Sequence, residues 1–158
     1  SNSGNNNTYC QNNEMGWVNW DNADDSLINF VGELAALRKK YSAISRAEFL
    51  TGKLNEHGNS DVTWFNVDGE VMTDEQWDDP NNKSMAVKFM SPNKNESSIL
   101  VFLNAYHVTV EAQMPCNDMH DWKPVLNSIL KNEIVDTKTS LHLEPRSVYV
   151  YEGDLIKS

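Results

Sequence analysis

The sequence has little cysteine, little positive charge and no long apolar run, and each scarcity removes a class of function. Its two cysteines, Cys10 and Cys116, are far apart and form neither a CxxC nor a Cys/His ligand spacing. They give no metal signature and little basis for a disulfide framework, so two reduced, unpaired thiols are expected, as in a cytoplasmic protein. Thirteen Lys and Arg stand against twenty-three Asp and Glu, a formal charge of −10, with no basic cluster longer than Arg38-Lys39-Lys40. Neutralising phosphates or anionic headgroups needs a basic face, so neither nucleic acid nor a membrane is expected as a partner. A neutral or cationic partner stays open. The longest mostly apolar runs, such as 99–103, are far too short to span a bilayer, and no basic-then-apolar leader comes first, so the chain is expected to be soluble as given.

What is present suffices for a packed interior. Hydrophobic residues make up 39% of the 158, spread along the chain, with five Trp, five Tyr and five Phe. Residues 1–24 are polar and Asn-rich and read as a long loop anchored by Trp17 and Trp20. From Asp25, the apolar residues Leu27, Phe30, Val31, Leu34, Leu37 and Tyr41 recur at three- and four-residue steps. Asp24 and Asp25 precede them and Arg38, Lys39 and Lys40 come near the end, as a helix dipole favours. An amphipathic helix over 25–42 is expected, with Gly32 its one weak position. After a connection the period changes to short β-type runs at 61–67, 84–90, 98–103, 107–113, 122–126, 141–143 and 147–151, separated by turn-rich segments. Strands at this spacing predict an antiparallel β-sandwich behind one helix. So wide a helical stripe needs a partner, either the sandwich or a missing domain.

The stretch Gly4-Asn5-Asn6-Asn7-Thr8-Tyr9-Cys10-Gln11-Asn12-Asn13-Glu14, with Trp17 and Asn19-Trp20 behind it, closely resembles the GNNN-x-YCQDNE…W-x-(D/N)-W segment of bacterial glycogen debranching enzymes and isoamylases. These are glycoside hydrolases of the alpha-amylase superfamily. The likeness continues through Leu34 to Arg38, Asp61 to Phe65, Asp68 to Asp74, Trp77, Asp79-Pro80, Phe102 to Ala105 and Pro145 to Val148. One departure is Asn12, where the family has an aspartate, so no charged role is expected there.

The resemblance implies that this chain is the tail of a larger enzyme that hydrolyses α-1,6 branch linkages of glycogen-like glucans. Residues 1–45 would be the loop after the eighth strand of a (β/α)8 barrel plus its last helix, 46–60 a connection, and 61–158 the C-terminal β-sandwich. Active sites of such barrels lie on the face where strands end, so the Asn-rich stretch becomes a substrate-side loop. Its chemistry suits a neutral glucan: the amides of Asn5, Asn6, Asn7 and Gln11 offer donors and acceptors to hydroxyls, and Tyr9 and Trp17 offer flat faces to sugar rings. The competing role is local, with the asparagines in Asx-turns and Trp17 and Trp20 holding the loop. By the resemblance every catalytic carboxylate lies upstream, so no catalytic residue, no cofactor and no metal is assigned to this chain.

Nothing in the chain itself replaces them. Glu14 with Asp21, Asp24 with Asp25, and Asp74 with Asp78 and Asp79 are carboxylate pairs in exposed-looking loops or at a helix start, where a solvated or capping role is expected. The acidic run 68–79 fails the calcium-loop spacing and reads as a surface loop. His57, His107, His120 and His142 fall singly, without a nucleophile in a recognisable setting. Trp64 alternates with Val62 and is expected to face the core; Trp77 and Trp122 are also expected to pack rather than form a stacking platform. Two functions follow: a non-catalytic part of a debranching hydrolase that stabilises the barrel, or an autonomous carbohydrate-binding sandwich. Its partners are α-glucan and the missing catalytic barrel.

Overall fold

Asp24 fixes where the first helix begins. Its Oδ1 accepts hydrogen bonds from the backbone N–H of Ser26 at 3.0 Å and Leu27 at 3.2 Å, and from the Ser26 hydroxyl at 2.6 Å. These donors are the ones a helix start leaves without partners. α1 then runs over Asp25–Lys40, with Arg38, Lys39 and Lys40 in its last turn, against the negative end of the dipole. The computed structural model describes residues 12–14, 16–56, 58–93, 95–115, 120–129 and 140–155. The chain divides into two units, Ser1–Leu37 and Arg38–Ser158. In the first, a 3-10 turn over Trp20–Asn22 is capped by Asn19, whose side chain accepts from the Asp21 N–H, and leads toward α1. Of the stripe read from the sequence, Leu27, Val31 and Leu34 are exposed on the helix, together with Ile28; Phe30 and Leu37 are half-buried, and Tyr41 lies just past the helix end and is buried.

The second unit is a β-sandwich. Its strands are β1 (Val62–Phe65), β2 (Ser84–Phe89), β3 (Ser98–Asn104), β4 (Val110–Gln113), β5 (His120–Asn127), β6 (Ser140–Leu143) and β7 (Ser147–Leu155). A five-stranded sheet runs in the order β1-β2-β3-β7-β5, and β4 pairs with β6 in a second sheet, every pairing antiparallel. The mostly β, antiparallel sandwich expected from the alternating pattern is therefore the fold. β5 is an edge strand, the place where a sheet tolerates Pro124, and the register slips between Pro124 and Leu126.

Side-chain alternation decides which residues the sandwich encloses. Phe65, Ala86, Leu100, Phe102 and Tyr151 of the large sheet pack with Ala112, Leu141 and Leu143 of the small one, and Val67, Met114, Trp122 and Tyr149 close the rim. Phe102 and Tyr151 meet edge to face, ring centroids 5.9 Å apart. Because Phe65 points inward, its neighbour Trp64 points to the opposite face of the sheet, which corrects the expectation that Trp64 faces the core. That opposite face is itself apolar, with Val87, Ile99 and Val150 buried. The segment after α1 lies along it: Tyr41 and Ala43 are buried, the Tyr41 hydroxyl donates to Glu152, and Lys40 pairs with Glu152 at 3.2 Å.

One polar side chain ties the strand ends together. Asn104, buried at the end of β3, shares its Nδ2 hydrogens among the carbonyls of Val108, Leu143 and Glu144 at 2.9–3.0 Å. Its Oδ1 accepts from the Ser84 hydroxyl at 2.9 Å and the Tyr106 N–H at 2.9 Å. Every polar atom of the amide is thereby satisfied, as burial requires.

The acidic run is not wholly a loop. Residues Asp74–Asp78 form the short helix α2, started by Thr73, whose hydroxyl accepts from the Gln76 N–H while Gln76 Oε1 accepts from the Thr73 N–H. The Thr-x-x-Gln spacing that encodes this reciprocal cap was present in the sequence.

Candidate functional site

Of the side chains read as sugar contacts, Asn5, Asn6, Asn7, Tyr9 and Gln11 lie outside the described residues, as do Cys10, Cys116 and His57. Trp17 is described. The residue is 59% exposed and its indole N–H donates to Asn12 Oδ1 at 3.0 Å. Position 12, where the resemblance expects an aspartate, thus holds the indole nitrogen of an exposed tryptophan. Gly16 and Trp17 both donate backbone N–H to the Asn13 carbonyl, at 2.8 and 3.0 Å, closing the turn that presents the ring. Asn12 and Asn19 are both engaged locally, in the way short amides in loops usually are.

Among the described residues of the second unit, polar side chains line clefts at two places. One, of about 380 Å³, is lined by Arg46, Lys53, Leu54, Asp61 and Met90 among others. Arg46 donates to the Met90 carbonyl from Nη2. Asp61 accepts from the Thr51 N–H at 2.9 Å, the Thr51 hydroxyl at 3.2 Å and the Gly52 N–H at 2.8 Å. Burial works to raise the Asp61 pKa, but the donors from Thr51 and Gly52 outweigh it and hold the carboxyl below its ordinary range. This carboxylate fastens the connection between α1 and β1. Phe49 and Leu54 beside it are strongly exposed.

The second cleft, of about 290 Å³, is lined by Gln76, Asp79, Asn82 and Tyr106 among others. Sequence reading missed it, because it joins α2 and the turn after it to the turn between β3 and β4, segments about 25–30 residues apart that only the fold brings together.

The aromatic and titratable residues fall out as follows. Trp64 and Trp77 meet edge to face at 5.3 Å, Trp77 being about half exposed. Trp122 stacks on the buried His120 at 4.9 Å. His107 and His142 are exposed. Asp24 is held below the ordinary carboxylate range by the Ser26 side chain and the Leu27 N–H, and Glu75 by Thr73. Asp24 is therefore a capping residue, as expected. Among the described residues no three His, Cys, Asp or Glu side chains cluster as metal ligands would, and no helix is long and apolar enough to cross a membrane.

Residues 61–149 match the family model for the isoamylase C-terminal domain, a span that runs from β1 into the first residues of β7. The chain belongs to the isoamylase C-terminal family. Within that family's wider relatives it is 30% identical over 125 residues to a glycogen operon protein GlgX homolog of Haemophilus influenzae, covering 79% of this chain and 16% of the relative. It is 38% identical over 78 residues to a glycogen debranching enzyme of Dickeya chrysanthemi, covering 49% of this chain and 11% of that enzyme. Among solved structures it is similar to trehalose-6-phosphate hydrolase of Bacillus licheniformis, with a TM-score of 0.54 and 18% identity, covering 89% of this chain and 21% of that one. Isomaltulose synthase of Klebsiella sp. LX3 gives a TM-score of 0.52 at 17% identity, over 88% of this chain and 20% of that chain. At such identities the likeness shows the fold. The chain spans about a sixth or less of the length of the curated relatives it matches.

Proposed function

We propose that this chain is the C-terminal part of a glycoside hydrolase that cleaves α-1,6 branch linkages of glycogen-like glucans, and that it is itself non-catalytic. In this reading residues 1–45 are the loop after the last barrel strand and the final barrel helix, 46–60 the connection, and 61–158 the domain that stabilises the barrel. The observation that carries the reading is the face of α1. Leu27, Ile28, Val31 and Leu34 form a helical stripe that is exposed, and a stripe of that width is what a helix uses to pack against neighbouring helices or a sheet. The debranching enzymes similar to this chain are several times longer, which leaves ample chain to supply such a partner.

A general acid for glycoside hydrolysis needs a carboxyl whose pKa is raised; Asp24, Asp61 and Glu75 are each held below the ordinary carboxylate range by their hydrogen bonds, so these three do not suit that role. The exposure of Trp17 supports the substrate-side loop, where Trp17 with Asn5, Asn6, Asn7, Tyr9 and Gln11 would contact sugar. The scarcity of cysteine favours the cytoplasm.

The test is hydrolysis of a branched glucan by this chain, alone and with a separately expressed barrel from a related enzyme, scored by release of linear maltooligosaccharides. Release only in the combination is the expected result. Release by this chain alone would overturn the reading.

A further inference from the structure

The cleft beside α2 is built from groups that suit a neutral sugar. Its walls are held rigid by their own hydrogen bonds. The Tyr106 hydroxyl donates to the Asn81 carbonyl at 2.5 Å, Asn82 Nδ2 donates to the Gln76 carbonyl at 3.0 Å, and the Asn81 N–H donates to Asp79 Oδ1 at 2.8 Å. The α2 cap fixes Gln76 through its Oε1.

What these bonds leave over is a set of donors and acceptors on residues that line one cleft. Among the described residues nothing engages the Asn81 side-chain amide, Asn82 Oδ1, Gln76 Nε2 or the second carboxylate oxygen of Asp79. A sugar hydroxyl is both donor and acceptor, so vicinal hydroxyls are satisfied by mixed amide and carboxylate groups of this kind, with an aromatic ring as a wall. The volume, about 290 Å³, is at the small end of ligand sites and fits one or two sugar rings.

Other ligand classes fit less well. A calcium ion takes six to eight oxygens, several of them carboxylates, and the lining offers one carboxylate, Asp79. An anion meets no Lys or Arg in the lining and a chain of net charge −10. Lys83, the nearby cation, lies over the Tyr106 ring at 5.6 Å from its centroid.

We propose that this cleft binds a glucosyl unit of an α-glucan, so that the sandwich holds the polymer as well as bracing the enzyme. The proposal rests on the reading that the parent acts on α-glucan, and its test fails separately from that reading. The isotopically labelled chain is titrated with maltoheptaose, and in parallel with the β-linked cellohexaose, by NMR. The side-chain amides of Gln76, Asn81 and Asn82 and the backbone amides of Tyr106 and Val110 should shift together with one Kd on the order of 1 mM. Asn81→Trp fills the cleft from an exposed turn position and keeps the carbonyl that Tyr106 uses; with Asp79→Ala as a second variant, binding should weaken by about tenfold or more. Unchanged spectra elsewhere establish that both variants fold.

Absence of a saturable shift at these residues overturns the site, as does undiminished binding by Asn81→Trp. An equal response to cellohexaose overturns the assignment to α-glucan. Saturable binding here, together with failure of barrel complementation, would keep the site and remove the proposed parent activity. The opposite pair of results would remove the site alone.

Discussion

Gly69 is the position where a single methyl group should do most damage. It turns the chain after β1: its N–H donates to the Asn66 carbonyl at 3.2 Å, while Asn66 Oδ1 accepts from the Asp68 and Glu70 N–H groups at 3.0 Å each. Its φ of +77° costs an L-residue about 1–2 kcal/mol. A Cβ there would also stand 2.4 Å from the Met114 carbonyl oxygen and 3.0 Å from its carbon, both backbone atoms. Relief requires the end of β4 to retreat from the turn, against the 2.7 Å hydrogen bond from the Gln113 N–H to the Val67 carbonyl. Overpacking of that kind costs about 1–3 kcal/mol. Gly69→Ala should therefore lose about 2–5 kcal/mol in all, less about 0.4–1 kcal/mol recovered from the unfolded state.

Gly52 supplies the control, since its φ is +67° and a Cβ there meets nothing within 4 Å. Gly52→Ala carries the backbone cost alone. Urea denaturation followed by circular dichroism measures both. With an m-value of about 2 kcal/mol/M, the midpoint of Gly69→Ala should fall about 0.5–2.3 M below the parent, and clearly below Gly52→Ala. Equal losses in the two variants would show that the approach to Met114 carries no energy, and would refute the argument.

Three further outcomes are expected. Asn104→Ala leaves the carbonyls of Val108, Leu143 and Glu144 and the Ser84 hydroxyl without their shared partner, so it should cost about 2–4 kcal/mol by the same urea assay. Gly153→Ala places a Cβ 2.5 Å from the Trp122 ring; it should cost about 1–3 kcal/mol and shift tryptophan fluorescence as Trp122 moves against His120. Asp61 has a folded pKa below its unfolded value, so its contribution is present above the unfolded pKa of about 3.9 and is lost as pH falls through the folded value. Protection of the Thr51 and Gly52 amides, measured against their intrinsic exchange rates, should fall in that acid window for the parent, and be low at every pH in Asp61→Ala.

The sequence by itself determined the elements. Period-two alternation placed seven strands close to their observed positions, and the run from Leu27 with flanking charges placed α1, because both patterns are local consequences of how successive side chains point. The Asn-rich opening and the short motifs through Val148 resemble bacterial glycogen debranching enzymes and isoamylases, and the isoamylase C-terminal match over 61–149 bears this out for the C-terminal domain. The Thr73 to Gln76 cap was legible too, but its acidic surroundings read as loop, since composition is a weaker signal than a reciprocal hydrogen bond.

Tertiary structure decided what no local pattern carries. Alternation says that Trp64 and Phe65 face opposite ways but not which way is inward; only the packing of β4 and β6 over one face makes Phe65 the core residue. Asn104 enters the sequence reading only as part of the motif Phe102 to Ala105, and becomes the tie of the sandwich only when β3, β6 and the following turns converge on it. The cleft between α2 and Tyr106 likewise exists because long-range strand pairing brings two remote turns together, and long-range pairing leaves no periodic trace in either turn.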